Sequence, residues 1–420
     1  MARRHFGTDG VRGVVGKDFT VELVERLGCA STLWSGRGRV FIGRDTRASG
    51  VELEEAFARG VARAGGVAVL AGVLPTPAVA LLALDLGVVI SASHNPPEYN
   101  GVKFFDSQGR KLTDTAEEEI EALLDAEGPG GGEIDRVGVA NDSYLEHIVE
   151  RFGSDLSGLR IGIDCANGAY AEIAPKALER LGAVVTAIGV EPDGTNINLE
   201  CGATDLRALQ HKVTEEGLDL GIAFDGDGDR VLAVDERGEV VDGDQIVAVL
   251  ALELGVDQVA VTSMANLGFH RLMAEHGIRV ITTDVGDRYV LEALHREGGV
   301  LGGEQSGHLI WLDGHVTGDG LVASLLLCRA LAGRPLSEAA AVMPRLPQVT
   351  RNLPHAGGAL PEALLEEIAR VNAGLDGSGR VLVRPSGTEP VVRILVEAET
   401  TKAAQDVCAR IADLVARELG

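Results

Sequence analysis

Residues 40–70 read VFIGRDTRASGVELEEAFARGVARAGGVAVL, and this run indicates the fold class. Two short aliphatic runs, residues 40–43 and 67–70, flank a stretch whose apolar side chains recur at four-residue spacing. Those apolar side chains are Leu53, Phe57 and Val61. A strand, a helix and a second strand in this order predict a right-handed βαβ unit with parallel strands.

The same order of elements recurs twice further along the chain. A strand at residues 160–164 precedes a helical stretch at 171–181, and a strand at 258–262 precedes a helical stretch at 267–276. Strands that alternate with helices are typical of α/β domains built on mostly parallel sheets. We therefore predict three related α/β units.

The chain has 420 residues, more than one hydrophobic core of ordinary size contains, so we predict three or four domains. Segments rich in glycine, proline or aspartate, at residues 128–132, 242–244 and 344–354, lie near the expected breaks. The last domain follows another pattern, a helix, two strands and a final helix, which indicates a smaller α+β domain. The predicted domains are residues 1–150, 151–240, 241–345 and 346–420.

Charge and cysteine content exclude several classes of protein. The chain has 63 acidic and 38 basic side chains and a net charge of -25, which argues against general binding to nucleic acid or to anionic membranes. An anionic small-molecule substrate would instead need a local cluster of Arg, Lys and backbone N–H groups. The five cysteines lie far apart without a C-x-x-C pair, and no apolar leader follows the basic N-terminal residues, so we expect a cytoplasmic protein. The sequence leaves the oligomeric state open, with a homodimer as one candidate.

The first chemical motif is SASHNP at residues 91–96, directly after the aliphatic run at 88–90. A serine at the carboxyl end of a parallel strand is placed for nucleophilic chemistry. Lys103, a short distance further on, could neutralise phosphate charge and transfer a proton. The alternative for this loop is an Asn-Pro turn with a capping serine.

The second motif is DGDGDR at residues 225–230. Three carboxylates at alternate positions, separated by glycines, can converge on one divalent cation. A calcium-binding EF-hand loop is the competing interpretation, because Glu236 falls at the twelfth position, but Arg230 occupies the sixth position, where glycine is required. The flanking segments read as strands rather than helices, so we favour a magnesium site on a βα-type loop.

Three further loops carry groups suited to sugars and phosphates. The run GGEQSGH at residues 302–308 offers a carboxylate, an amide, a hydroxyl and an imidazole for sugar hydroxyls, with a polar hairpin turn as the alternative. The run RPSGTEP at 384–390, with Arg393 after it, can cradle a phosphate. The run FGTDGVRG at 6–13 presents Arg12 between glycines. The chain contains neither a P-loop nor a G-x-G-x-x-G motif.

Taken together, these loops supply a nucleophilic serine, a metal loop, a sugar-binding loop and a separate phosphate cradle. A phosphatase or a kinase needs one phosphate site, whereas two sites suit a substrate that is phosphorylated at either end. Phosphoryl transfer is catalysed mainly by positioning and by neutralising charge, and the five loops provide groups for both.

The five loops, in this order and spacing, resemble those of the α-D-phosphohexomutase family over essentially the whole chain. The segments at residues 6–13, 303–308 and 384–390 are similar in particular to the phosphoglucosamine mutase branch of that family. The resemblance implies an α/β fold of four domains, in which three related α/β domains and a smaller C-terminal α+β domain surround a central cleft.

The resemblance also implies roles for individual residues. Ser93 matches the serine that is phosphorylated in the active enzyme, and its phosphate completes a site for one Mg²⁺ ion. The other implied metal ligands are Asp225, Asp227 and Asp229. The implied acid–base residues are Lys103 and His308, assisted by Arg12 and Arg230. The implied substrate ligands are Glu304 and Ser306 for sugar hydroxyls, and Arg384, Ser386, Gly387, Thr388 and Arg393 for the non-reacting phosphate.

The reaction implied by the resemblance interconverts glucosamine 6-phosphate and glucosamine 1-phosphate, a step toward UDP-N-acetylglucosamine. It runs through phospho-Ser93 and a hexose 1,6-bisphosphate, which also serves as activator. Phosphoglucomutase or phosphomannomutase activity and, from another class, a non-catalytic sugar-phosphate sensor are the alternatives. The runs NLECG at 198–202 and Pro97-Glu98 depart from the usual pattern of the branch and bear on fine specificity.

Overall fold

A computed structural model describes residues 5–7, 9–355, 358–385 and 390–419. The chain divides into two compact units. The first unit comprises residues 1–264 and 278–342, and the second comprises residues 265–277 and 343–420. The α/β and α+β patterns predicted from the sequence are both present, the first in the larger unit and the second in the smaller one.

The first unit begins with a six-stranded sheet in the order β1-β5-β4-β2-β3-β6. Its strands are β1 (Val11–Val14), β2 (Arg39–Arg44), β3 (Val67–Val73), β4 (Leu86–Ile90), β5 (Tyr99–Asp106) and β6 (Glu133–Arg136). Its helices are α1 (Val21–Trp34), α2 (Gly50–Arg63), α3 (Thr76–Leu81) and α4 (Asp114–Ala122). Strands β4, β2, β3 and β6 run parallel, while β5 and β1 are antiparallel to their neighbours.

A second sheet of five strands follows in the order β11-β10-β9-β7-β8. Its elements in chain order are α5 (Ala140–Phe152), β7 (Arg160–Asp164), α6 (Ile173–Arg180), β8 (Val184–Ile188), a 3₁₀ turn (Gly202–Thr204), α7 (Arg207–Glu216), β9 (Leu220–Phe224), β10 (Val231–Asp235) and β11 (Val240–Val241). Strands β8, β7 and β9 are parallel, and β9 and β10 form an antiparallel hairpin.

A third sheet has four strands in the order β13-β12-β14-β15. The elements of this part of the chain are α8 (Gly243–Glu253), β12 (Gln258–Thr262), α9 (Leu267–Glu275), β13 (Arg279–Thr283), α10 (Asp287–Glu297), β14 (Leu301–Gly303), β15 (Leu309–Trp311), α11 (Gly320–Leu331) and α12 (Leu336–Ala340). Helix α9 belongs to the second unit. Strands β14 and β15 pair antiparallel, so the predicted sugar loop joins the two strands of a hairpin.

The second unit contains a three-stranded antiparallel sheet in the order β16-β18-β17. From residue 348 onward, the elements in chain order are β16 (Gln348–Pro354), α13 (Glu362–Leu375), β17 (Gly379–Pro385), β18 (Val391–Ala398) and α14 (Thr401–Leu419). Residues 344–354, predicted to lie near a domain break, begin next to the boundary between the two units and include the whole of β16. That strand gains its backbone partners from β18, which lies far along the chain.

Local sequence explains the most regular elements. The apolar residues Leu53, Phe57 and Val61 of α2 are all fully buried, as their four-residue spacing predicts. Asp242 caps α8 through a capping box with Gln245, so the chain turns sharply after β11. All residues of β4 are buried, as expected for a central strand with cover on both faces. None of the described helices combines the length and apolar character that crossing a bilayer requires.

Candidate active site

The loop that contains Ser93 begins where the buried strand β4 ends. Ser93 is buried and has a backbone φ of 53°, in the left-handed region that non-glycine residues rarely occupy. Its Oγ donates a hydrogen bond to Oδ2 of Asp225 at 2.6 Å. Its backbone N–H donates to Oγ of Ser91 at 2.9 Å. The candidate nucleophile is therefore held in a strained conformation and aimed at the carboxylate loop.

Arg47, a residue that sequence reasoning did not select, holds this loop in place. The side chain is fully buried, and its Nη2 donates hydrogen bonds to the carbonyl oxygens of Ser93 at 2.9 Å and Asn95 at 2.8 Å. Its Nη1 donates to the carbonyls of Pro96 and Tyr99. One guanidinium thus holds four main-chain carbonyl groups of the nucleophile's loop, using the fork of donors that only arginine has.

The charge of Arg47 is balanced by Asp45, also fully buried, with Nε and Oδ2 2.9 Å apart. The same Oδ2 accepts a hydrogen bond from Oγ of Ser91 at 2.6 Å, so the pair is tied to the loop at both ends. Asp45 and Arg47 follow directly after β2, a strand parallel to β4. Polar residues at the carboxyl end of a buried strand were the signal that identified the serine loop. The same signal could have identified Asp45 and Arg47.

Asn198 is a second anchor that the sequence did not reveal. Its Nδ2 donates to the carbonyl oxygen of Ser93 at 2.9 Å and to that of Asn95 at 3.3 Å. Asn198 lies in the loop after β8 and itself has a left-handed φ of 57°. The run 198–202, noted for its departure from the usual family pattern, therefore begins with a residue that supports the nucleophile.

The carboxylate loop brings three buried aspartates together. Asp225, Asp227 and Asp229 offer ligand oxygens that lie within 4.8 Å of one another. Oδ1 of Asp227 and Oδ1 of Asp229 are buried and accept no hydrogen bond from the described residues. Buried carboxylate oxygens without donors, converging from a curled loop, fit a hard divalent cation. The predicted metal loop is thus a chemically suitable site for a metal ion.

The setting of this loop differs from the prediction in one respect. It joins β9 to the antiparallel strand β10 and is a hairpin turn, not a βα-type loop. Flanking strands on both sides also exclude the helix–loop–helix arrangement of an EF-hand. Asp225 follows the end of β9, which is parallel to β7, so the loop still lies at a carboxyl edge of the second sheet.

Lys103 lies among the aspartates rather than at the surface. Its Nζ is 2.7 Å from Oδ2 of Asp227 and 2.7 Å from Oδ2 of Asp229, and the side chain is almost fully buried. Burial alone would lower the pKa of Lys103, but the carboxylates of Asp227 and Asp229 outweigh it and hold the pKa well above its usual range. Lys103 is thus a charged group in direct contact with the metal-competent carboxylates.

The three aspartates do not behave alike. Burial and the neighbouring carboxylates of Asp229 and Asp227 raise the pKa of Asp225 well above its usual range. Burial would also raise the pKa of Asp229, but the positive charges of Lys103, His308 and Arg230 together outweigh it and lower this pKa. A negative charge on Asp225 is therefore unfavourable beside the other two carboxylates, and a bound cation would offset it.

The sugar loop of residues 302–308 lies beside the carboxylate loop. His308 forms a β-bridge with Arg230, and its Nδ1 is 3.7 Å from Oδ1 of Asp229. Glu304 is buried and its Oε1 accepts a hydrogen bond from the backbone N–H of Gly286 at 3.1 Å, while Ser306 is exposed. Burial raises the pKa of Glu304. The sugar loop thus places His308 against the carboxylate loop, with Glu304 buried and Ser306 exposed.

The two arginines predicted to contact the transferred phosphoryl group are also here. Nη1 of Arg12 lies 3.3 Å from Oδ1 of Asn95 and 3.4 Å from the carbonyl oxygen of Ala92, within the serine loop. Nε of Arg230 is 4.0 Å from Oδ1 of Asp229. Both side chains are only partly buried. The larger unit therefore assembles the serine, carboxylate and sugar loops together with both arginines.

The predicted phosphate cradle belongs to the second unit. Arg384 and Arg393 lie directly opposite each other on the antiparallel strands β17 and β18. Side chains in such a pair project from the same face of a sheet, so the two guanidinium groups are neighbours. Ser386, Gly387 and Thr388 lie outside the described residues, and their predicted role stays a prediction.

Models of one protein family match this chain over most of its length. Models of phosphoglucomutase/phosphomannomutase alpha/beta/alpha domains I, II and III match residues 3–129, 142–238 and 242–346. The model of the C-terminal domain of the same enzymes matches residues 340–414.

Individual proteins agree with the domain models. The chain is 48% identical to a phosphoglucosamine mutase of Moorella thermoacetica over 96% of this chain and 97% of that protein. It is 49% identical to a phosphoglucosamine mutase of Thermobifida fusca over 99% of both chains. A crystal structure of a phosphoglucomutase/phosphomannomutase family protein from Burkholderia thailandensis superposes with a TM-score of 0.85 at 26% identity, over 99% of this chain and 98% of that one.

Proposed function

Because the chain belongs to the phosphoglucomutase/phosphomannomutase family, we propose that it is a mutase that interconverts glucosamine 6-phosphate and glucosamine 1-phosphate. The hydrogen bond from Ser93 Oγ to Asp225, at the edge of the three-aspartate group, is the observation that carries this proposal. It joins a candidate nucleophile to a metal-competent loop. The choice of glucosamine as the sugar rests on the relatives named phosphoglucosamine mutase.

In the proposed reaction, Ser93 is phosphorylated before substrate binds. The free hydroxyl of a glucosamine phosphate attacks the phosphorus, the bond from phosphorus to Ser93 Oγ breaks, and the hydroxyl proton passes to a base. The product of this step is glucosamine 1,6-bisphosphate. After the bisphosphate turns around, Ser93 Oγ attacks its other phosphate, so the serine is phosphorylated again and the isomeric monophosphate leaves.

The residues around Ser93 supply what this transfer needs. His308 is the buried group placed to exchange a proton with the sugar hydroxyl, and buried Lys103, which carries a positive charge, is placed to donate a proton. Arg12 and Arg230 are placed to neutralise charge on the transferred phosphoryl group. Glu304 and Ser306 would bind sugar hydroxyls. In the second unit, Arg384 and Arg393, with residues 386–388, would hold the phosphate that does not react.

We assign the metal of this site as Mg²⁺, held by Asp225, Asp227 and Asp229 together with an oxygen of phospho-Ser93. Oxygen-only ligands of this kind suit magnesium better than zinc or copper. When bound, Mg²⁺ would neutralise charge that develops on the phosphoryl oxygens. A hexose 1,6-bisphosphate is the expected activator, because it can phosphorylate Ser93 at the start.

Phosphorus NMR tests the proposal. The protein is incubated with Mg²⁺, a trace of glucose 1,6-bisphosphate and, in parallel samples, the 6-phosphates of glucosamine, glucose and mannose. We expect glucosamine 1-phosphate to form fastest and Ser93→Ala to abolish its formation. Faster conversion of glucose or mannose 6-phosphate would keep the mechanism and change the substrate. No conversion by the phosphorylated protein would favour a sensor of sugar phosphates.

A further inference from the structure

A continuous chain of ion pairs connects His308 to Arg12, and three of its members were not among the predicted site residues. Nε2 of His308 lies 3.0 Å from Oδ2 of Asp287. The same Oδ2 lies 2.5 Å from Nζ of Lys111, which is 2.6 Å from Oδ1 of Asp9. Asp9 forms an ion pair with Arg12 and lies 3.3 Å from Nζ of Lys103.

The part of this chain around Lys111 and His308 is shielded from solvent, while Asp9 and Arg12 at the other end are about one-fifth exposed. The side chain of Lys111 is 8% exposed, that of Asp287 is 14% exposed and that of His308 is 4% exposed. Burial alone would lower the pKa of Lys111, but the carboxylates of Asp287 and Asp9 outweigh it and raise the pKa. Lys111 therefore carries a positive charge between two carboxylates, in a setting where ion pairs are directional and little screened.

The ring of His308 has little freedom at this place. Gly318 packs so closely against it that a Cβ added there would lie 2.3 Å from Nε2. On its other nitrogen the ring faces Asp229 of the carboxylate loop. A carboxylate beside one ring nitrogen commonly fixes which way the other nitrogen points. Asp287 occupies that position here.

We propose that Asp287 is a positioning residue that orients the imidazole of His308 toward the carboxylate loop, and that Lys111 and Asp9 link it to Arg12. Through this link, the distance between His308 of the sugar loop and Arg12 of the N-terminal loop stays fixed around the transferred phosphoryl group. The catalytic consequence rests on the proposed mutase function. The structural part, orientation of the His308 ring by Asp287, stands on the contacts alone.

A neighbouring ion pair provides a matched control. Arg288, the next residue after Asp287, lies 2.5 Å from Asp114 and 3.5 Å from Glu117 of α4. It joins the start of α10 to the same segment of the chain as Lys111 does, but it does not contact His308 or Arg12 in the described residues. Loss of the Arg288–Asp114 ion pair therefore reports the effect of removing an ion pair between the start of α10 and the start of α4 that does not involve His308.

The test compares Asp287→Asn, Asp287→Glu, Lys111→Met and the double variant Lys111→Met/Asp287→Asn with the control Asp114→Asn. We expect Asp287→Asn and Lys111→Met to lower kcat about 10- to 100-fold with KM changed less than about threefold, because misplaced groups slow the chemical step. The double variant should lose less than the product of the two single losses. Asp287→Glu should recover part of kcat, and Asp114→Asn should stay within about twofold of wild type.

A readout that does not need turnover is the ring ¹H–¹⁵N correlation spectrum of histidine-labelled protein at one fixed pH. His308→Gln assigns the signal. Asp287→Asn should shift the His308 ring nitrogens, while Asp114→Asn should leave them in place. An unchanged His308 signal in Asp287→Asn, or equal losses of kcat in Asp287→Asn and Asp114→Asn, would overturn the proposal. If the wild-type protein has no mutase activity, the ring spectra still decide whether Asp287 orients His308.

Discussion

The side-chain amide of Asn198 donates a hydrogen bond to the main-chain carbonyl of Ser93 at 2.9 Å, across 105 positions of the chain. Ser93 has a left-handed backbone, which persists in a folded protein only when its surroundings hold it there. Asn198 and the buried guanidinium of Arg47 supply that support from two separate segments. The nucleophile is thus positioned by main-chain contacts as well as by its own side chain.

Replacing Asn198 by alanine should therefore slow catalysis without unfolding the protein. The variant loses two hydrogen bonds, each with a net value of about 1 kcal/mol. We expect kcat to fall about 10- to 30-fold, since about 1.4 kcal/mol corresponds to a factor of ten and about 2 kcal/mol to a factor of thirty. Steady-state kinetics measures this. Asn196→Ala, which removes an amide that donates to Glu191 within its own loop, is the control and should keep wild-type kcat.

Asp227 should be essential for metal binding. Asp227→Asn removes a charged ligand of the metal. Loss of a residue that only supports a metal ligand typically lowers metal affinity about 10- to 100-fold, so we expect at least that loss here. Titration of Mn²⁺ followed by electron paramagnetic resonance measures the affinity. Asp235→Asn replaces a buried aspartate whose Oδ1 accepts backbone hydrogen bonds from Arg237 and Glu239, and this variant should bind metal normally. Equal loss in both variants would mean that the effect is not local.

A buried hydroxyl network behind the carboxylate loop should contribute to stability. The phenol oxygens of Tyr144 and Tyr170 donate to the two oxygens of Asp319 at 2.6 and 2.7 Å, and Asp319 also caps α11. Tyr144→Phe leaves one carboxylate oxygen short of a donor, at a cost of about 1–3 kcal/mol. Thermal unfolding should show a lower Tm, while Tyr289→Phe, at a half-buried position, should leave Tm unchanged. A Tm equal to wild type for Tyr144→Phe would contradict the network's role.

The second unit should lose stability in acid because of His270. Burial and the guanidinium of Arg380 lower the pKa of His270 from 6.5 to about 4. Between these two pH values the unfolded chain binds a proton that the folded unit does not, so stability is fully present above pH 6.5 and falls as the pH drops toward 4. Ring NMR should show His270 neutral at pH 5.5.

The stability effect needs its own comparison. Denaturation of His270→Gln should depend less on pH between 6.5 and 4 than denaturation of the wild type, because the titrating group is gone. His276→Gln, at an exposed position of the same unit, is the control and should keep the wild-type pH dependence. A His270 ring that is already protonated at pH 5.5 would disprove the account.

Much of the fold and site could be predicted because the signals are local. The spacing of Leu53, Phe57 and Val61 predicts a buried helix face, and the structure buries all three fully. The aspartates of residues 225–229 follow an aliphatic run, so they lie at the end of a strand whatever surrounds it. Loop chemistry of this kind depends on residue types that are neighbours in the sequence.

The contacts made by the supporting residues could not be predicted, because their partners are distant in the sequence. Asn198 is 105 positions from Ser93, and Arg288 is 174 positions from Asp114, so only the packing of domains brings them together. Strand β16 was missed for the same reason, since its residues 348–354 form a strand only by pairing with β18. The carboxylate loop was assigned to a βα connection because the direction of β10 follows from pairing, not from composition.

Transfer of phosphate from Ser93 is the central claim, and a single-turnover chase tests it most directly. Protein labelled with ³²P at Ser93 is mixed with unlabelled glucosamine 6-phosphate and Mg²⁺, and the label is followed in protein and sugar fractions. The account predicts that label leaves Ser93 and enters glucosamine bisphosphate first, then both glucosamine monophosphates. Label that stays on Ser93, or that appears as inorganic phosphate before any sugar phosphate, would contradict it.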